Sequence, residues 1–324
     1  MKGPKDHYVA QTYLRNFSIK NNTAHVNAIR KSDLKRLNNV PVRSICYKVN
    51  WSTNPYFPEK PRVVEDYLKI FEPKWFNCVK MLADEKFDAE TKYFMSGYIV
   101  YLRACTPTAI RLGQVNSSEI VSRTYEIIEQ KELSNPDTKH KDAINTIRSH
   151  GGIKVNVDPN FPKAMGIRTL SGAHEKLQGF PWLIMTNETG IPYITSDNPV
   201  CLRYPQNSAF CDFYVPITPK IAIMIHPLRN PESEIIDSLT SVKPEGVNEF
   251  NRLVVKCAED MVIFNEDFGV EELVKEFRDW RMEVLITKFP VEKGTFNIFQ
   301  QRPCCRTKES AAHDGINHHP NNSA

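Results

Sequence analysis

The chain has no Cys-x-x-Cys pair, no long apolar run, no glycine-rich phosphate loop and no His-Glu-x-x-His motif. Each absence removes a class of protein. The eight cysteines stand at 46, 78, 105, 201, 211, 257, 304 and 305, without zinc-site spacing, and a chain of this size is not expected to rest on a disulfide framework. Most are expected to be buried, inert thiols. The longest apolar stretches, such as residues 97–102, fall far short of the roughly 20 residues that cross a bilayer. Residues 1–6 (Met-Lys-Gly-Pro-Lys-Asp) lack the apolar centre of a signal peptide. The expectation is a cytoplasmic protein with no membrane contact. No internal repeat is visible, and a net charge of +4 is too small to establish a nucleic-acid partner.

What is present is ordinary in bulk and uneven in distribution. A length of 324 residues, 41% hydrophobic and 25% charged, suits one large globular domain or two intimate ones. Residues 1–50 carry ten Lys/Arg and two acids, Asp6 and Asp33, so this segment is +8 and the remainder −4. Such a region favours an anionic ligand, nucleic acid included, unless it is simply a solvated face.

Helical periodicity is plain over residues 63–84, where Val64, Leu68, Phe71, Trp75, Val79 and Leu82 recur at helical spacing. A second helical segment covers 88–112, interrupted at Thr106-Pro107. Others cover 117–133 and 139–149, the last stopped by Gly151-Gly152. The first 60 residues read as a short helix, a strand over 23–29 and a basic, loop-rich stretch from 30 to 60. Strands are expected at 182–186, 193–195 (a hairpin-like return), 213–215, 221–225, 261–264 and 284–287, with helices at 247–258 and 270–281. The order does not alternate regularly, so the fold class is α+β: a helical N-terminal and central region packed with a small mixed or antiparallel sheet from the second half. A single domain over 1–298 is expected, helix-rich at 61–150 and strand-rich at 152–290. Residues 299–324 read as a polar, disordered tail.

The strongest local signal is His7, Gln11 and Arg15. On a helix, i, i+4 and i+8 share a face. Val9, Tyr13 and Phe17 keep that spacing on another face, so one helix would bury one side and offer a proton carrier, an amide and a cation on the other. A neighbouring cation would keep His7 neutral and able to accept a proton. Gln11 would orient a water or substrate group, and Arg15 would clamp a phosphate or carboxylate. A second signal is Ser196-Asp197-Asn198-Pro199 after a buried-looking strand. It is either a self-bonded turn or a strand end delivering Asp197 and Asn198 into a cleft, to hold a divalent metal, orient His7 or donate to an oxyanion. A third is Arg103 on an apolar helix. A buried guanidinium needs a partner, and Glu65 and Glu72 on the preceding helix are the candidates; anion binding near a cleft is the other role. His226 reads as structural.

Several of these pieces carry a resemblance. The opening His7-Tyr8-Val9-Ala10-Gln11-Thr12-Tyr13-Leu14-Arg15-Asn16-Phe17 resembles the His-Tyr-Val-Pro-Gln-x-Tyr-Leu-Arg-x-Phe start of the bacterial family called domain of unknown function 4238, with Ala10 in place of its proline. Tyr101-Leu102-Arg103 with Pro107, Thr195-Ser196-Asp197-Asn198-Pro199-Val200, Pro216-Ile217-Thr218-Pro219, and Asn248, Asn251 and Ala258 follow in the right order. The resemblance spans roughly residues 5–290. It implies no settled activity; the patchy occurrence of similar proteins suggests an accessory role such as phage defence.

Two functional expectations result. The first is a phosphate-directed enzyme, such as a nuclease or phosphodiesterase. His7, Asp197 and Gln11 would form its catalytic group, and Arg15, Arg103, Asn198 and Ser196 would hold the substrate, with or without a divalent metal; zinc is disfavoured. The alternative is a non-catalytic ligand-binding or sensing module. The enzyme is the leading expectation.

Overall fold

The computed structural model describes residues 3–19, 24–205, 210–227, 237–291 and 294–306. The N-terminal part runs β1 (Lys5–His7), α1 (Gln11–Leu14), a 3₁₀ turn (Arg15–Phe17), β2 (His25–Arg30), β3 (Arg36–Pro41), a second 3₁₀ turn (Val42–Ser44) and β4 (Tyr47–Val49). Six helices follow: α2 (Val63–Ala83), α3 (Ala89–Ala104), α4 (Pro107–Leu133), α5 (Lys141–Ser149), α6 (Asn160–Arg168) and α7 (Leu170–Gly179). The rest is β5 (Trp182–Thr186), β6 (Thr195–Ser196), β7 (Cys201–Arg203), β8 (Asp212–Thr218), β9 (Ile221–Ile225), β10 (Ser238–Ser241), α8 (Pro244–Cys257), β11 (Met261–Phe264), α9 (Val270–Glu276), β12 (Trp280–Val291) and β13 (Gly294–Cys305). The class is α+β, with helices concentrated in the centre and several small sheets. None of the described helices is long and apolar enough to cross a membrane.

Helices α2 and α3 form where the pattern demanded. The α2 residues Val64, Leu68, Phe71, Trp75, Cys78 and Leu82 are buried on one stripe. On α3, every residue from Met95 to Leu102 is buried, as befits a helix enclosed on all sides. Gly97 lets the two approach, since a Cβ there would lie 2.2 Å from the Phe71 ring. Trp75 stacks on Tyr98 at 4.3 Å between centroids. The interruption at Thr106-Pro107 is a clean break: α3 ends, Thr106 caps α4 through the Ala109 amide at 3.2 Å, and Pro107 opens the new helix. As a result α4 begins ten residues earlier than its periodicity suggested.

Five strands from the second half pair in the order β10-β5-β9-β8-β7, antiparallel except for β10 with β5. A four-stranded sheet, β3-β2-β11-β6, combines both ends of the chain. Strand β6 does not fold back onto β5 as a hairpin; it pairs with β11. The buried Tyr13 ties the opening segment to both sheets, donating to the Pro216 carbonyl and sharing a hydrogen bond with the Thr195 hydroxyl, each at 2.7 Å.

The loop-rich stretch 30–60 also holds β3 and β4. Two sequence expectations need correction. The stretch read as strand-rich opens with helices α6 and α7, whose Pro162, Gly166, Gly172 and Gly179 break up the apolar period. The chain beyond 299 is not all tail: residues through Cys305 form β13, paired along its length with β12. Hairpin pairing satisfies backbone groups whatever the side chains, so a polar strand of this kind leaves little trace in hydropathy. The rest of the expected tail, residues 307–324, lies outside the described residues.

Candidate functional site

The opening segment does not form the single helix its spacing suggests. His7 lies in β1, opposite Tyr47 of β4. Ala10 has extended dihedrals (φ −62°, ψ 144°), so the helix starts only at Gln11, and Arg15 already belongs to the 3₁₀ turn. No helical face therefore carries His7, Gln11 and Arg15 together. His7 and Gln11 do line one polar pocket of about 200 Å³ with Asp6, Glu65, Glu72 and Tyr101. Arg15 is exposed and outside that lining.

The pocket's charges are mostly engaged. Asp6 accepts two bonds from the Arg62 guanidinium (2.7 and 3.1 Å) and one from the Ser52 amide (2.8 Å). Burial pushes its carboxyl up, but these donors outweigh burial and hold it below the usual carboxylate range. Glu72 accepts from Thr12 at 2.6 Å, and Thr12 shares a 2.6 Å bond with the Tyr98 hydroxyl. Glu65 accepts from the Ser52 hydroxyl. The half-buried His7 ring tilts on Tyr47, and Tyr101 donates to the His7 carbonyl at 2.9 Å. Burial lowers the His7 pKa, against the pull of the Arg43 and Val42 backbone, Asp6 and Glu65. The imidazole is thus neutral near pH 7 through burial rather than through a cation on its own helix. Its Nε2 is buried without a hydrogen-bond partner.

Ser196, Asp197 and Asn198 sit elsewhere, buried where β6 meets β11 and the end of α8. The two Asp197 oxygens accept the amides of Glu259 (2.9 Å), Asp260 (2.9 Å) and Met261 (3.0 Å). Asn198 donates to the Cys257 carbonyl at 2.9 Å and accepts from Thr106 at 3.3 Å; the Ser196 hydroxyl accepts the Asn198 amide at 3.2 Å. Asp197 is outside the pocket that His7 lines. Close by, the buried Lys31 donates to the carbonyls of Val255 (2.8 Å), Ala258 (3.1 Å) and Trp280. Burial raises the Asp197 carboxyl to about 7 despite its three amides, and lowers Lys31 to about 8 despite Asp197.

Arg103 has a different setting. Neither Glu65 nor Glu72 pairs with it. No carboxylate within salt-bridge reach is found for it among the described residues, and its hydrogen-bond partner is the side-chain oxygen of Gln301 on β13. Glu65 and Glu72 point to the His7 pocket instead. The groups that favour the guanidinium charge are weak acids, the thiols of Cys211, Cys257 and Cys201 and the Tyr204 phenol, while burial lowers its pKa. Burial also raises the Cys257 thiol, but its bond with Cys201, Lys31 and Arg103 draw it below its ordinary value.

Arg103 and Gln301 lie at a cavity of about 400 Å³ between α3, α6 and α7. Its walls are chiefly apolar, including Ile99, Val100, Leu170, Leu177, Phe180 and Phe213, and the exposed Lys176 is its other cation. Among the described residues no acidic side chain lines it. Gln301 and Lys176 were missed in the sequence: one fell in the expected tail, the other on an unrecognised helix. Among the described residues no group of three or more His, Cys, Asp or Glu is placed to hold a metal ion. His226 bonds Asp212 at 3.0 Å.

The chain belongs to the family described as protein of unknown function (DUF4238), whose profile matches residues 5–268. No curated protein and no solved structure matches it. The matched span holds His7, Gln11, Arg15, Arg103 and the Ser196-Asp197-Asn198 turn, whereas Gln301 lies beyond it.

Proposed function

We propose that the protein is a ligand-binding module for a small anion, with Arg103 as its receptor. The observation that carries this reading is a partly buried guanidinium that has, among the described residues, no carboxylate partner and lies at the wall of a cavity they line without an acid. Arg stays charged in proteins, and an uncompensated charge in a low-dielectric site is costly. An anion entering the cavity supplies the missing compensation through the planar fork of the guanidinium. The experiment is thermal unfolding with chloride, phosphate and carboxylates in turn. An anion at a hundred times its Kd stabilises the folded state by about 2.7 kcal/mol. Wild type should gain Tm and Arg103→Met should not; equal gains in both proteins would refute the reading.

The phosphate-directed hydrolase reading retains one support, a neutral His7 beside Gln11 at a polar pocket. It ranks second because the His7 Nε2 is buried and both Asp197 oxygens are occupied by amides. It requires a phosphodiesterase activity that a folded His7→Ala protein loses.

A further inference from the structure

We infer that the anion is a monocarboxylate with an apolar body, bound head-first on Arg103. This rests on the anion-binding reading and adds the chemical class of the ligand. A cavity of about 400 Å³ falls within the roughly 300–1,000 Å³ usual for small-molecule sites, which pair apolar walls with a few orienting polar groups. Here the orienting group is one partly buried guanidinium, with Gln301 fixing its position.

The walls decide between classes of anion. A phosphate dianion would find one partly buried cation and an exposed lysine, and most of the remaining surface would be hydrocarbon. A carboxylate is satisfied by a single guanidinium, two oxygens to two N–H groups. The faces of Ile99, Val100, Leu170, Leu177, Phe180 and Phe213 are then covered by an aliphatic or aromatic body, a contribution of about 25 cal/mol per Å² of apolar surface removed from water. An amino acid fits poorly, because its ammonium group would meet no acid among the described residues of the lining. Lys176 at the exposed side adds long-range attraction for anions without closing over the head group.

The test is calorimetric titration of the full chain with octanoate, octan-1-ol and inorganic phosphate. Circular dichroism and Tm establish that each variant is folded. Octanoate should bind wild type at least tenfold more tightly than either control, with a negative heat-capacity change from apolar burial. Arg103→Met should lose that advantage. Ala173→Leu, which adds bulk to the apolar wall, should weaken octanoate and spare phosphate. If phosphate binds in an Arg103-dependent way and octanoate binds no better, the carboxylate inference falls and the anion reading stands. If no anion binds in an Arg103-dependent way, the anion reading falls, and the ligand class with it.

Discussion

The Asp197–Lys31 junction is buried and the Arg103 guanidinium partly so, and the two differ in how much of their bonding capacity the protein itself uses. At the junction, three amides fill the Asp197 oxygens and three carbonyls accept from the Lys31 ammonium. At the cavity, Arg103 has five N–H donors, one amide oxygen as partner and open space beside it. Saturation is what folding achieves when a buried charge serves the fold. Spare capacity at a cavity wall is what a ligand site requires before its ligand arrives.

Removing Asp197 should have the largest effect. Asp197→Ala orphans three part-buried amides at the link between β6, β11 and the end of α8. At ~1–3 kcal/mol for each orphaned group, and with relief from burying a carboxylate offsetting part of the cost, the net loss should be about 3 kcal/mol. For a chain of this size that lowers Tm by several degrees, at ~2–4 °C per kcal/mol. Urea unfolding gives the number. A loss below about 1 kcal/mol would mean that the junction is not the saturated structural node described here.

The same junction should respond to pH in two directions. Asp197 titrates at about 7 in the folded protein against an ordinary 3.8. The folded state therefore binds more protons between these values, and stability from this group falls as pH rises across that window. Lys31 titrates at about 8 against an ordinary 10.5. Between these values the unfolded state binds more protons, so stability rises with pH, by up to about 3 kcal/mol from this group. Urea unfolding at pH 7.5 and pH 10 should show that rise in wild type and its absence in Lys31→Met. An identical rise in the variant would assign it to other groups.

The sequence disclosed elements and hid neighbours. Six apolar residues at helical spacing make α2 legible, and Thr106-Pro107 marks the break between α3 and α4, because each signal is local. The same locality misleads at His7: its spacing to Gln11 and Arg15 is helical, but pairing with β4, about 40 residues away, holds it in a strand. Arg103 shows the limit most clearly. Its need for a partner could be read, and two glutamates on the preceding helix were reasonable candidates, yet its neighbour comes from β13, 198 residues onward. The cavity itself could not be read, since α6 and α7 on one side and Gln301 on the other left no periodic signature.

The wall that carries Arg103 has its own vulnerable contact, with an effect of intermediate size. Gly97→Ala on α3 would place a methyl 2.2 Å from a Phe71 ring carbon. Overpacking of this kind costs ~1–3 kcal/mol, and the helix-propensity gain of ~1 kcal/mol offsets part of it. A contact this short belongs at the upper end of that range, so a net loss of about 2 kcal/mol in urea unfolding is expected. A neutral or stabilised variant would show that α2 and α3 can part at little cost, leaving the cavity's dimensions unfixed.

The smallest effect on stability is expected at Arg103, and it is the one that separates the two regions. Without added anion, Arg103→Met removes an uncompensated charge and substitutes an unbranched apolar side chain suited to irregular space. Replacing buried charge with hydrophobic groups is often neutral or stabilising. The Gln301 side chain loses its bond, a term of about 1 kcal/mol that opposes this gain. The unliganded variant should therefore match wild type within about 1 kcal/mol in urea unfolding. A loss near 3 kcal/mol, comparable to that of Asp197→Ala, would make Arg103 another saturated structural charge, satisfied by the surrounding thiols and Gln301, and the contrast between cavity and junction would disappear.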